Sequence, residues 1–244
     1  MRIAIVTDAW TPQVNGVVRT LTETVSRLRA GGHGVLVVSP DRFRSFPCPT
    51  YPEIRLALAT RRQVGTLLDD YVPDAVHIAT EGPLGHAARR HRLDRGQPFT
   101  TAYHTQFPDY AARRTHLPAS VFWPFITRFH APSAGILVAT DSIRRELAAH
   151  GLTQAREWSR GVELADFGPE ALAPALFARL PRPIQLYVGR VSVEKNIEAF
   201  LDCRHPGSKV VVGDGPALAQ LRRRYPTVHF LGQRSGEGLA GCYA

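Results

Sequence analysis

Lysine is nearly absent from this chain of 244 residues. Of its 30 basic side chains only two, Lys195 and Lys209, are lysines, which leaves 28 arginines. Cysteine is sparse too. Cys48, Cys203 and Cys242 lie far apart, without metal-ligand spacing and in odd number, so they predict reduced thiols in a cytoplasm and no disulfide framework. No apolar run approaches the length of a membrane span. The apolar start from Ile3 to Val6 meets Asp8 too early for a signal peptide. A nucleic-acid-binding module is not recognisable, and no acidic cluster suggests a metal site.

What is present is charge of one sign and enough apolar content for a core. The hydrophobic fraction is 44% and the net charge is +9, with an isoelectric point near 10.1. Such a surplus calls for an anionic partner: nucleic acid, an anionic membrane surface, or an anionic small molecule. The arginines fall in scattered pairs, as on solvated helix faces, which disfavours nucleic acid. From Arg113 to His130, arginines and histidines alternate with Phe122, Trp123, Phe125 and Phe129. That mixture fits either an interfacial helix at anionic headgroups or an amphipathic helix with buried aromatics.

Short apolar runs alternate with helical spacing along the chain. Ile3–Thr7, Val35–Ser39, Ala75–Ile78, Phe99–Tyr103 and Ile136–Ala139 read as strands. The segment from Val17 to Ala30, with Val18, Leu21, Val25 and Leu28 in register, reads as a helix stopped by Gly31-Gly32. Strand, helix and strand within about forty residues make a βαβ unit, so the class is α/β with parallel sheets. Residues 42–52 are rich in Pro, Phe and Arg and read as an ordered loop. Asp141-Ser142 reads as a cap for the helix that follows. Ligands of such sheets collect at the carboxyl ends of strands. Asp8, Asn15 and Gly16 lie in the first such loop, Glu81 in another, and His104, Asp109 and Tyr110 in a third.

One stretch concentrates the chemistry. Ile184–Val188 is a strand, Gly189 breaks it, Arg190 follows at once, and Lys195 precedes a helical run from Asn196. Strand, tight turn with two cations and helix start suit an anion such as phosphate. The plainer alternative is an exposed lysine at a helix start. Further on, Gly213-Asp214-Gly215-Pro216 closes another strand.

The blocks Gly189-Arg190 with Glu194-Lys195-Asn196, Val211–Pro216, and Phe230-Leu231-Gly232 together resemble glycosyltransferase family 4, retaining enzymes of the GT-B fold. His104-Thr105-Gln106-Phe107 resembles a further signature of that family, and residues 160–167 resemble the segment that joins its two domains, with Glu163 at the acidic position. The resemblance implies two Rossmann-like domains: an acceptor-side domain over residues 1–166, a linker over 167–183, and a nucleotide-sugar domain from 184 onward. It implies Arg190 and Lys195 on the donor diphosphate, joined by Gly16 and Gly213. It also implies His104 close to the sugar, and Asp8, Asn15, Glu81, Asp109 and Tyr110 on the acceptor side.

The same resemblance implies a mannose-type hexose moved from a nucleotide-diphosphate sugar to a lipid or glycan acceptor. It calls for no cofactor, no metal and no nucleic acid. The expected place is cytoplasmic, with peripheral contact at the inner face of the plasma membrane as a further expectation. The family's Glu-x7-Glu pair is absent from the sequence, so the second domain is expected to be incomplete. That leaves two alternatives beside an active transferase: a non-catalytic fragment that binds acceptor or membrane, and a GT-B-like enzyme of another class, such as a phosphorylase or an epimerase.

Overall fold

A computed structural model of the chain describes residues 1–13, 15–48, 51–104, 106–159, 161 and 167–244, without the side chains of residues 48, 51–54, 110, 113, 114 and 194. Thr105, the Tyr110 and Glu194 side chains, and the joining segment with Glu163 therefore lie outside the described residues. The chain divides into two compact units, Met1–Arg160 and Gly161–Ala244.

The first unit runs β1 (Arg2–Val6), α1 (Gly16–Ala30), β2 (Gly34–Val38), β3 (Ser45–Cys48), β4 (Tyr51–Ala57), α2 (Arg61–Tyr71), β5 (Ala75–Ile78), α3 (Pro83–Asp94), β6 (Thr100–Tyr103), α4 (Phe107–Thr115), α5 (Trp123–His130), β7 (Gly135–Val138), α6 (Asp141–Ala149) and β8 (Ala155–Glu157). Six strands form one sheet in the order β2-β1-β5-β6-β7-β8, and every pairing in it is parallel.

Alternation along the strands builds the cores on both faces. Ala4, Val6, Val38, Val76 and Ile78 pack with Val64 and Leu68 of α2, Leu84 of α3 and Phe129 of α5. Ile5 and Val37 point the other way, onto Leu21 and Val25 of α1. Toward β8, Tyr103, Ile136 and Val138 meet Trp123, Ile126 and Leu147. β2 and β7, and β1 after Arg2, lack a polar alternate because both sheet faces are covered.

Three local expectations are corrected. Ser45–Cys48 and Tyr51–Ala57 pair as the antiparallel strands β3 and β4, where a plain loop was expected. They make a separate two-stranded ribbon whose bonds include Arg55 Nη2 to the Ser45 carbonyl at 2.7 Å, and a ribbon outside the main sheet tolerates Pro47. The basic-aromatic stretch from Arg113 is two helices. His116 at φ 59° closes α4, and Pro118 follows, where a helix cannot continue. The cap of α6 is Thr140, whose Oγ1 accepts from Ile143 N at 3.4 Å, and Asp141 is the first helical residue.

The second unit holds β9 (Ile184–Val188), α7 (Ile197–Asp202), β10 (Ser208–Val212), α8 (Leu218–Arg224), β11 (His229–Gly232) and α9 (Gly236–Tyr243). Its parallel sheet has the order β11-β10-β9. Val210 and Val212 pack on Phe177, Leu239 and Cys242. Val211 faces Val191, Ile197, Leu201 and Leu221.

Candidate functional site

At the carboxyl edge of the first sheet, Asp8 follows β1 and is 6% exposed. Its Oδ1 accepts from Leu84 N at 2.9 Å, and its Oδ2 accepts from the Thr80 hydroxyl at 2.8 Å and from Gly85 N at 3.4 Å. Asp8 therefore caps α3, satisfying amides that the helix leaves open. The approach is so close that a Cβ on Gly82 would overlap the carboxyl group. Burial raises the Asp8 pKa, the three hydrogen bonds oppose that, and Glu81 adds to the rise.

Asn15, expected on the acceptor side, is the N-cap of α1: its Oδ1 accepts from Val17 N and Val18 N, both at 3.0 Å. Gly16 is exposed in the first turn. Gln13 ties this loop back, donating to the Asp8 carbonyl at 3.2 Å. The loop after β1 is thus a hydrogen-bonded platform that displays Gly16.

Glu81 has a partner that sequence reasoning missed. Its Oε1 lies 3.2 Å from His130 Nε2, and His130 Nδ1 lies 2.8 Å from Thr101 Oγ1. His130, fully buried at the end of α5, holds Glu81 at the rim. Tyr103 is buried close by. Burial first, then Glu146, Glu81 and Asp109, push its phenol above the ordinary value. Exposed Asp109, in the first turn of α4, therefore shares an acidic neighbourhood with Glu81.

His104 sits just past β6, its ring 6.0 Å from that of Trp158. Trp158 follows β8 and also meets His77 edge-on, with centroids 6.3 Å apart. Neither Trp158 nor His130 carries a local signal, because each meets its partners only once distant strands align.

The second unit brings Arg190, Lys195 and Gly213 to one edge. Gly189 N donates to the Val212 carbonyl at 3.0 Å, and Val191 N to the Asp214 carbonyl at 2.9 Å. These bonds lock the turn after β9 to the loop after β10. Gly213 has φ 149°, and a Cβ there would overlap the Gly189 carbonyl oxygen. The Tyr187 hydroxyl donates to the Arg190 carbonyl at 3.0 Å. Arg190 is half-buried and Lys195 is exposed at the end of a 3-10 turn. The other lysine has structural work: Lys209 Nζ donates to the Leu201 carbonyl at 2.6 Å and to that of Cys203, closing α7. Such a cationic, backbone-braced turn can neutralise an anion.

The model of the family described as Glycosyltransferase Family 4 matches residues 14–166. A GDP-mannose-dependent alpha-mannosyltransferase of Mycolicibacterium smegmatis is 31% identical over 268 residues, covering 100% of this chain and 71% of its own length. An alpha-monoglucosyldiacylglycerol synthase of Streptococcus pneumoniae is 25% identical, covering 92% of this chain and 58% of its own length. Among solved structures, Anabaena HepE in complex with UDP-glucose superposes with a TM-score of 0.63 at 15% identity, covering 99% of this chain and 72% of that one. That likeness extends to the fold, two parallel-sheet α/β units of GT-B type.

Proposed function

The chain belongs to glycosyltransferase family 4, and from that premise we propose that it transfers a mannose-type hexose from GDP-mannose to a lipid or lipid-linked glycan, with retained anomeric configuration. The locked turn that carries Arg190 and Lys195 at the carboxyl edge of the second sheet is the observation that carries this reading. In the transfer, the bond from the anomeric carbon to the β-phosphate oxygen breaks and the diphosphate keeps the electron pair. A bond forms from that carbon to the acceptor hydroxyl oxygen, and the hydroxyl proton passes to the departing β-phosphate oxygen. Arg190 and Lys195 neutralise the charge growing on the diphosphate, the kind of stabilisation that contributes most in such reactions. Gly213 lets the two loops close, Gly16 offers backbone to the donor, and His104 hydrogen-bonds the sugar.

The named relatives support the donor and acceptor classes: one is GDP-mannose-dependent, and another builds a glucosyldiacylglycerol. Glu81 and Asp109 are the carboxylates assigned to acceptor hydroxyls, with Tyr110 next to Asp109 in sequence. Asp8 and Asn15 act on the same side as supports, by holding α3 and α1. Because two protein cations carry the diphosphate, the reading calls for no metal.

The test is transfer from radiolabelled GDP-mannose to a diacylglycerol-type acceptor. Arg190→Ala is expected to lower kcat by about a hundredfold or more with an unchanged circular dichroism spectrum, and EDTA is expected to leave turnover intact. Lys195→Gln should weaken GDP binding more than guanosine binding. Full turnover in Arg190→Ala would remove the diphosphate assignment.

A further inference from the structure

Glu81 is fixed twice, through its backbone and through its side chain. Asp8 pins the loop on both sides of it: Oδ2 accepts from the Thr80 hydroxyl at 2.8 Å, and Oδ1 accepts from Leu84 N at 2.9 Å. The side chain reaches inward to His130. The imidazole is fully buried, whereas the Glu81 side chain is 20% exposed. One carboxylate oxygen, Oε1, lies 3.2 Å from His130 Nε2. The other ring nitrogen, Nδ1, lies 2.8 Å from Thr101 Oγ1 on β6.

His130 is itself held in place. Tyr103 and Phe129 meet its ring edge-on, with centroids 6.0 and 5.0 Å away. Its carbonyl accepts from Ser133 N at 2.9 Å and from Gln154 Nε2 at 3.2 Å. A pocket walled by two aromatic rings would pack a phenyl ring without the cost of burying two polar nitrogens. The imidazole instead has a partner at each nitrogen, and one of the two bonds leads out of the core to the rim. A carboxylate only accepts, so Nε2 carries a proton; the Thr101 hydroxyl can donate or accept and suits either state of Nδ1. An unpinned glutamate spreads over many rotamers, and ordering it would oppose binding.

We propose that His130 is a positioning residue for the acceptor: it pins Oε1 of Glu81 through Nε2–H and leaves Oε2 to take the hydrogen bond of one acceptor hydroxyl. With Oε1 anchored, the direction of Oε2 is set, so the rim favours a hydroxyl that arrives along one line. His130 acts only through Glu81, because it is buried beneath it. The inference deepens the assignment of Glu81 to the acceptor and rests on that reading.

Two measurements test it. Long-range proton–nitrogen correlation NMR on the full chain reads the proton on each ring nitrogen. His130 Nε2 is expected to carry one, and its resonance should move in Glu81→Ala. A bare Nε2 overturns the proposal. The second measurement is transfer from GDP-mannose to dioctanoylglycerol, with each substrate varied in turn. His130→Phe should raise the acceptor KM about tenfold or more, the usual effect of losing a bond to a charged group. The KM for GDP-mannose should stay near the wild-type value. His130→Gln keeps a donor for Oε1 and should recover part of the loss. In a Glu81→Ala background, His130→Phe should change the acceptor KM little, because the group it positions is gone.

A His130 that merely fills the core would give another pattern: both substrates affected alike, and the same loss with or without Glu81. That pattern overturns the proposal. Where His130→Phe does not fold, His130→Gln decides, since its smaller loss should also fall on the acceptor and vanish in the Glu81→Ala background. A wild type that transfers nothing would remove the proposed function and with it the acceptor role of the pair. A wild type that transfers, beside variants that lose both substrates alike, would remove this inference alone.

Discussion

His77 stands on β5 with Nδ1 2.9 Å from Thr100 Oγ1 and its ring against Trp158. Burial pushes its pKa from 6.5 down to about 4. The folded chain therefore holds fewer protons than the unfolded chain between those two values. By linkage, the stability this residue contributes is full above pH 6.5 and is lost as pH falls through about 4. The upper bound is about 3 kcal/mol, at about 1.4 kcal/mol per pH unit. His77→Gln can still hydrogen-bond Thr100 and does not titrate. Its melting temperature should fall less than that of the wild type over that acid range. His86, also depressed by burial and by Arg89, keeps part of the slope. Parallel acid curves for the two proteins would show that His77 takes up its proton as readily in the folded chain as in the unfolded one, and would remove its contribution to the slope.

Among elements, the informative pair is the turn after β9 and the loop after β10. Neither is long, and their mutual bonds from Gly189 and Val191 make them one object. Gly213→Ala would drive a Cβ into the Gly189 carbonyl, and relief must come from backbone movement that carries Arg190 away from its place. A cost of about 1–3 kcal/mol and a loss of GDP affinity of tenfold or more are expected by calorimetry. Unchanged affinity would place the diphosphate elsewhere.

Each loop was legible by itself, because the apolar run Ile184–Val188 ends in Gly189-Arg190 and the Val-rich run Val210–Val212 ends in Gly213, while the bonds between them were not. The main parallel strands were legible for the same reason, since apolar runs such as Ala75–Ile78 are bounded by turn residues. What stayed hidden depends on partners far away in the chain. β8 is three residues long and gains its place only by pairing with β7. His130 is one of 10 histidines, and only the fold brings it against Glu81. Asp8 lies at the strand end where ligands collect, and nothing local reveals that α3 takes its carboxylate as a cap.

At the scale of the whole chain, each unit closes around its own apolar clusters. The first is held by the two faces of the six-stranded sheet. The second is held by Val210–Val212 between Phe177 and Leu239 on one side and Ile197, Leu201 and Leu221 on the other. A lesion in one core should therefore loosen that unit before the other. Leu221 is 2% exposed, and Leu221→Ala leaves a cavity that costs about 2–5 kcal/mol. Hydrogen exchange followed by mass spectrometry should show faster exchange across β9, β10 and β11. Amides of β1, β5 and β6 should keep their wild-type protection, because their burial does not involve α8. Faster exchange spread evenly over both sheets would mean that the units unfold as one cooperative body. The turn proposed to hold the donor would then share its stability with the rim proposed for the acceptor, and variants such as His77→Gln should shift GDP affinity as well as acid stability.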